Sequence, residues 1–390
     1  MKGRKFMMVA KTMAGLEGIL SEELLELGAS DITLLSRAVS FMGDNELMYR
    51  ANLWCRTALR ILKPIATFNA SNEDELYNGF DAIDWRQWMN ANDTLAIDTV
   101  LSKSDFTHSV FVSQRAKDAI VDQFRRRTDK RPSVDLNNPV LRLNLHIAGD
   151  NCTVSADSSG WSLHKRGYRK HTPPAPINEV LAAGLIILSG WDMKSNFVDP
   201  MCGSGTILTE AALMALNLPP GYYRERYGFE GWPDFDSDLW ENILDEIPDK
   251  MKDFNAEIIG SDISSDAVFM TKENIQFAKL HKDVKVVNKP ISEFIPPEGG
   301  GVAVINPPYG ERLGQENIVE LYRSMGDAFK KFYNGYNVWV ISSDLKTIKQ
   351  IGLHPSAKIK LYNGPLECRF LKFCIYEGSK KKKPEGDVFP

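Results

Sequence analysis

Several things are scarce or missing in this chain of 390 residues, and each absence removes a class of function. There is no apolar run long enough to span a bilayer, so no membrane role is expected. The opening MKGRKFMMVAKTMAGLEGIL sets basic residues before apolar ones. Lys11 and Glu17 interrupt that run and no small-residue cleavage site follows, so it reads as a first strand and helix. Cysteine is sparse: Cys55, Cys152, Cys202, Cys368 and Cys374 are scattered, with no pair at zinc-ligand or redox spacing. The six histidines form no ligand pattern either, so no metal is expected and a reducing cytoplasm is the implied location. An excess of positive charge is also lacking. With 47 Lys and Arg against 51 Asp and Glu the formal charge is −4, which argues against indiscriminate nucleic-acid binding and directs attention to local patches.

What is present is a globular composition, 43% apolar and 25% charged, in a chain long enough for at least two domains. Residues 1–44 read as a small α+β segment: strand FMMVAKT, a helix over 16–27, and a strand pair in DITLLSRAVSFMG. Residues 45–160 make a second α+β unit, with helices over 47–59, 72–88 and 113–127 and strands at RILKPIATF, TLAIDTVLS, VLRLNLHIAG and NCTVSADSSG. Residues 161–176 carry basic residues and then prolines, which deplete amide donors and forbid a continuous helix, so this stretch is a connector. From 177 to 378 strands and helices alternate, which calls for a largely parallel sheet covered by helices, an α/β Rossmann-like fold. The stretch 217–255, rich in aromatics and proline, interrupts that alternation as an insertion or lengthened crossover. The tail 379–390 is polar and charged and is expected to be disordered.

Two strand ends carry the chemistry. In Asp199-Pro200-Met201-Cys202-Gly203-Ser204-Gly205-Thr206 a strand passes into a helix, the place where open parallel sheets bind ligands. Gly203 and Gly205 let the backbone approach a ligand closely, and the free amides of the following helix favour a negative group. The turn lacks the lysine of a phosphate loop and the third glycine of the dinucleotide fingerprint, which disfavours a nicotinamide oxidoreductase. Asp262 ends the next strand, IIGSDI, where a carboxylate would accept hydrogen bonds from ribose hydroxyls; the competing role is a cap for the helix near Asp266.

The most specific feature is Asn306-Pro307-Pro308-Tyr309 after the strand GVAVI. The prolines fix the backbone and leave the Pro307 carbonyl without competing local amides. With the Asn306 side-chain oxygen it offers two acceptors at one point, beside an aromatic face suited to a planar base. Such a pair fits an exocyclic amino group, whose two hydrogens it can hold while the nitrogen lone pair attacks a sulfonium methyl. The arrangement acts by positioning, without a covalent enzyme nucleophile.

These motifs resemble motifs I and IV of class I amino-methyltransferases, and SGWSLHKRGYRKHTPPAPINEVLAA resembles the junction between a THUMP domain and its methyltransferase domain. The whole pattern is similar to the bacterial 23S rRNA guanine-N2 methyltransferases, often labelled as adenine-specific DNA methylases. The resemblance implies an N-terminal ferredoxin-like segment at 1–44, a THUMP RNA-binding domain at 45–160 and a catalytic domain at 177–378. It implies S-adenosyl-L-methionine as cofactor, held by Asp199, Pro200, Cys202, Gly203, Ser204, Gly205, Thr206, Asp262 and Ile263, with Thr172, Ala175, Pro176 and Ile177 over its methionine end. Catalysis is implied at Asn306, Pro307, Pro308 and Tyr309. Where many relatives carry an acidic residue for the cofactor's adenine this chain has Pro290, so that contact would fall to backbone near Ile291.

Two basic stretches point to RNA as the partner, in particular 23S rRNA or a large-subunit precursor. One contains Arg115, Arg125, Arg126, Arg127, Lys130 and Arg131; the other contains Lys165, Arg166, Arg169 and Lys170 with Tyr168 between them as a stacking ring. Asn-Pro-Pro-Tyr chemistry fits a DNA adenine-N6 amine as well. A catalytically silent RNA-binding or ribosome-assembly factor is the reading from a different class.

Overall fold

The computed structural model describes residues 3–171, 176–308 and 315–375, and it divides into two compact units. Unit 1 comprises Met1–Arg169, Asn178–Gly184 and Leu216–Asp253; unit 2 comprises Lys170–Ile177, Leu185–Ala215 and Phe254–Pro390. The expected disordered tail at 379–390 lies outside the described residues.

Unit 1 is built on one sheet of eight strands. In chain order its elements are β1 (Phe6–Lys11), α1 (Glu17–Glu26), β2 (Ser30–Leu35), β3 (Ala38–Gly43), α2 (Asn45–Trp54), β4 (Arg60–Asn69), α3 (Glu73–Asp81), β5 (Thr94–Ser102), α4 (Ser109–Thr128), β6 (Ser133–Val134), β7 (Leu141–Ala148) and β8 (Asn151–Asp157). The strand order is β2-β3-β1-β4-β8-β7-β5-β6. β4 joins the two α+β stretches, because Leu62 pairs with Val9 of β1 and Thr67 with Thr153 of β8. The sheet therefore runs without a break through residue 44, where the sequence suggests a boundary. In β7 Leu141, Leu143, Leu145 and Ile147 are fully buried at period two, while Arg142 and Asn144 on the other face are covered as well. Ala116, Ala119, Ile120 and Phe124 of α4 are buried too, at helical spacing.

Two expected helices stop early, each for a local reason. The helix expected over 47–59 ends at Trp54, because the Glu23 carboxylate accepts the amides of Arg56 and Thr57 at 2.7 and 3.0 Å and holds the chain extended. The helix expected over 72–88 ends at Asp81 and resumes only as a 3-10 turn at Trp85–Gln87. Buried Trp85 stacks on Phe80 and donates its indole N–H to the Phe80 carbonyl at 2.8 Å. The Gln123 side chain takes the Asp81 and Ile83 carbonyls at 2.9 and 2.7 Å, replacing helical partners.

The alternating region begins with α5 (Glu179–Leu188), β9 (Asn196–Asp199) and α6 (Thr206–Ala215). The stretch then expected as an insertion belongs to unit 1 from Leu216 to Asp253 and carries α7 (Ser237–Asp245) and α8 (Ile247–Lys250). Tyr49 of α2 stacks on Phe229 with centroids 4.3 Å apart and accepts the Asp236 amide at 3.1 Å. Arg50 grips Glu246 with two guanidinium nitrogens, at 2.7 and 2.6 Å. Arg224 donates to the carbonyls of Ser159, Trp161, Ser162 and Lys165 at 2.8–3.2 Å. Tyr227, Phe229, Trp232 and Trp240 of this stretch are thus core material for the N-terminal unit.

Unit 2 continues with β10 (Ile258–Asp262), α9 (Ser265–Phe277), β11 (Val284–Asn288), β12 (Gly301–Ile305), α10 (Gln315–Phe332), β13 (Tyr336–Ser342), β14 (Ala357–Asn363) and β15 (Leu366–Cys374). Its sheet runs β11-β10-β9-β12-β13-β15-β14, parallel except for β15, which is antiparallel to both neighbours. Val198, Ala303, Ile305, Val338 and Val340 pack with Tyr322, Met325 and Phe329 of α10 in the core. The order reverses between β9 and β12, which creates a switch point at the carboxyl ends of those strands.

Candidate active site

The register of the sheet sets three chain ends side by side. Asp199 of β9 faces Gly260 of β10, and Ala303 of β12 faces Val198, so Asp262 and Asn306 each emerge next to the turn after β9. Asp199 is 1% exposed and its carboxylate accepts the Met201 amide at 3.1 Å. Burial pushes its carboxyl up to about 8, against the lowering effect of that amide and with the charge of Asp262 adding to the rise. A buried acid ready to ionise beside a glycine turn could complement a cation.

The turn from Pro200 to Gly205 is shaped by its neighbours. Gly203 and Gly205 have φ of +55° and +80°, the left-handed region that favours glycine. A Cβ on Gly205 would stand 2.6 Å from Thr271 Cγ2, whereas one on Gly203 would meet nothing within 4 Å. The turn is therefore packed on one side and open on the other. The Cys202 amide donates to the Ser261 carbonyl at 2.9 Å, and buried Ser204 and Thr206 complete the passage into α6.

Asp262 receives the Gly203 amide at 3.0 Å and the Ser264 amide at 2.9 Å. It does not cap α9: that place is taken by Ser264, whose hydroxyl accepts the Ala267 amide at 3.3 Å. Ile263 beside it is 75% exposed, an apolar face at the strand end. Ile291 is buried in the core, and the Pro290 carbonyl is already engaged by the amides of Glu293 and Phe294. Asn288 ties the carbonyls of Asp262 and Ile263 at 2.8 and 3.1 Å.

At the end of β12 the Asn306 side-chain oxygen is buried, and no described residue donates to it. A buried acceptor without a partner among the described residues is costly in a folded protein, and a donor on a bound group would satisfy it. Pro307 is buried and Pro308 half-buried. Tyr309, together with Thr172 and Ala175, lies outside the described residues; Pro176 is half-buried and Ile177 buried.

The second basic stretch needs correction. Arg166 is buried and donates to the Leu163 carbonyl at 2.8 Å and to the Arg56 carbonyl. Tyr168 is buried against Tyr223, and Arg169 pairs with Glu179 at 2.6 Å, both side chains largely covered. These three hold the fold and present no face to RNA. Lys165 is exposed, and Lys170 is exposed while pairing with Glu273 at 2.6 Å. On the first stretch Arg115, Arg125 and Arg127 pair with Asp74, Asp122 and Asp84 at 3.0, 3.2 and 3.3 Å, and Arg126 pairs with Asp81. Lys130 and Arg131 are exposed with no carboxylate partner among the described residues. Among the described residues no cluster of His, Cys, Asp and Glu could hold a metal ion, and no helix is long and apolar enough to cross a membrane.

Sequence reasoning missed Thr271 and Asn274, which bind the carbonyls of Gly203 and Ser204 at 2.6 and 3.1 Å. Their signal was available: two polar residues three apart on the helix face that also carries Val268 and Ile275.

Residues 166–372 match the family described as RMKL-like methyltransferase domain, 70–157 match the THUMP domain and 7–62 the RlmL ferredoxin-like domain. A Synechocystis protein, slr0064, provisionally named as an RNA methyltransferase, is 39% identical over 94% of this chain and 96% of its own length. A ribosomal RNA large subunit methyltransferase K/L of Syntrophotalea carbinolica is 40% identical over 93% of this chain, which spans 53% of that longer relative. Among solved structures, SMU.472, provisionally described as a methyltransferase and complexed with SAH, superposes with a TM-score of 0.87 at 31% identity, covering 97% of this chain and all of that one. A Listeria monocytogenes protein described as a predicted N6-adenine-specific DNA methylase gives 0.84 at 31% identity, covering 95% and 97%.

Proposed function

The chain belongs to the family of RMKL-like methyltransferases with ferredoxin-like and THUMP domains, and on that premise we propose that it methylates the exocyclic amino group of an RNA base, guanine N2 of 23S rRNA above all. The observation that carries this reading is the buried Asn306 side-chain oxygen, without a donor among the described residues, at the end of the strand that lies next to β9 and its glycine turn. The cofactor, S-adenosyl-L-methionine, supplies an electrophilic methyl group when bound.

The residues present fit such a cofactor. Asp199, buried and easily ionised by a neighbouring cation, complements positive charge; Asp262 offers carboxylate oxygens at a strand end; Gly203 leaves room for close approach; and exposed Ile263 provides apolar surface. Asn306 and the Pro307 carbonyl would accept the two hydrogens of the target amine and keep its lone pair directed at the methyl group. No protein group need gain the proton before transfer, because the amine would become acidic only as the new N–C bond forms and the cofactor's S–C bond breaks to leave S-adenosylhomocysteine; the proton would then pass to solvent. Tyr309 would give the base a stacking face.

RNA as substrate is supported by the THUMP match and by the names of the relatives. The exposed cations Lys130, Arg131 and Lys165, which no described carboxylate pairs, are the candidate phosphate contacts. A base in a stem must leave its stack to reach such a site, at a cost of a few kcal/mol, and a separate RNA-holding domain would offset it. A cytoplasmic location is part of this proposal. The test is transfer of a labelled methyl group from the cofactor to rRNA of a strain lacking the gene, alongside unmethylated DNA, with mass spectrometry of the product base. Label in N2-methylguanine of 23S rRNA is the expected result; label in N6-methyladenine of DNA alone would replace it with the DNA reading.

A further inference from the structure

Two polar side chains of unit 2 are buried where α9 meets the glycine turn. Thr271 and Asn274 are 0% and 1% exposed and sit three residues apart, on one helix face. Thr271 donates its hydroxyl to the Gly203 carbonyl at 2.6 Å, and its methyl occupies the space a Cβ on Gly205 would need. Asn274 uses its whole side chain. Its oxygen accepts the amides of Lys170 and His171 at 2.9 and 2.8 Å, and its nitrogen donates to the carbonyls of His171 and Ser204, both at 3.1 Å. The preceding residue, Glu273, pairs with the Lys170 ammonium at 2.6 Å.

Four bonds from one amide saturate its capacity, so Asn274 accepts no other residue type without loss. The carbonyls of Gly203 and Ser204 are both drawn toward α9, and this fixes which side of the turn stays open. The same amide fixes residues 170–171 to that turn, although they are 31 and more positions away in sequence. We propose that Asn274, with Thr271, is a positioning pair for cofactor binding: it sets the shape of the turn Cys202–Gly205 and registers residues 170–171 against it, without touching the cofactor. This rests on the turn being the cofactor site.

The full chain and its Thr271→Val, Thr271→Ser, Asn274→Ala and Asn274→Asp variants would be compared for S-adenosylhomocysteine binding by calorimetry and for KM and kcat in methyl transfer. Val keeps the shape of Thr271 and loses its hydroxyl; Ser keeps the hydroxyl. Asp keeps the acceptors of Asn274 and loses both donors. Thr271→Val and Asn274→Asp are expected to bind about tenfold or more weakly, as befits a buried carbonyl left without its donor, while Thr271→Ser stays within about threefold of the parent. The loss should appear in KM for the cofactor, with kcat at saturation within about threefold. Folded Thr271→Val and Asn274→Asp proteins that bind like the parent would overturn the proposal, as would an equal loss in Thr271→Ser. A parent chain that itself fails to bind would overturn the cofactor site as well, so the two failures are told apart.

Discussion

Asn306 and Asp199 make opposite demands on the fold, one an acceptor lacking a donor among the described residues and the other an acid lacking solvent. Replacing Asn306 by Ala would remove one of the two acceptors proposed for the target amine. The expected outcome is a fall in kcat of about 100-fold or more with cofactor affinity nearly unchanged, read from single-turnover rates and calorimetry. For Asp199 the sign follows from its raised carboxyl. The folded chain without ligand holds a proton there, up to about 8, that the unfolded chain has released by about pH 4. Its contribution to stability is full below that lower value and is lost as pH rises through about 8. A cationic cofactor favours the carboxylate, so binding should release a proton near neutral pH and tighten as pH rises toward about 8. Calorimetry in two buffers of different ionisation enthalpy measures that proton, and Asp199→Asn should abolish it. No buffer dependence in the parent chain would count against a carboxylate role in binding.

Among the elements, the strand-to-helix turn after β9 separates two uses of glycine. Gly205 has a positive φ and a neighbour 2.6 Å from any added Cβ; Gly203 has a positive φ and open space. Gly205→Ala should cost about 1–3 kcal/mol of stability through strain and crowding. Gly203→Ala should cost less, while weakening cofactor binding more. Denaturant midpoints and cofactor titrations of the two variants decide the matter, and the reverse ranking would place the ligand elsewhere. The motif DPMCGSGT made this turn legible in the sequence, because strand, glycines and helix follow one another locally. The packing of Thr271 against Gly205 was hidden, since it joins positions 66 residues apart.

For the whole molecule, charge counts were a weaker guide than charge partners. The stretch from Arg115 to Arg131 is basic in sequence, yet four of its arginines are paired with Asp74, Asp81, Asp84 and Asp122. Exposed pairs are worth little to stability, but they must be broken or shared before an arginine binds phosphate. Lys130→Ala with Arg131→Ala should therefore weaken RNA binding and lower the salt slope by about 0.7–0.9 per cation, more than Arg125→Ala with Arg127→Ala does. Filter binding over a series of salt concentrations checks it, and equal slopes for the two pairs would show that the paired arginines engage RNA just as well.

The sequence by itself determined the alternation of strands and helices from 177 onward, the glycine turn at 203–205, the acid at 262 and the acceptor pair after β12. These are set by local periodicity, turn chemistry and side-chain functional groups, which neighbours along the chain suffice to express. Tertiary structure alone decided that Arg166 and Tyr168 are buried and Arg169 is held against Glu179, that Leu216–Asp253 completes the N-terminal unit, and that Asn274 ties residues 170–171 to the turn. Each of these depends on contacts between distant positions, and a basic or aromatic residue reads the same in sequence whether it meets solvent, a carboxylate or the core.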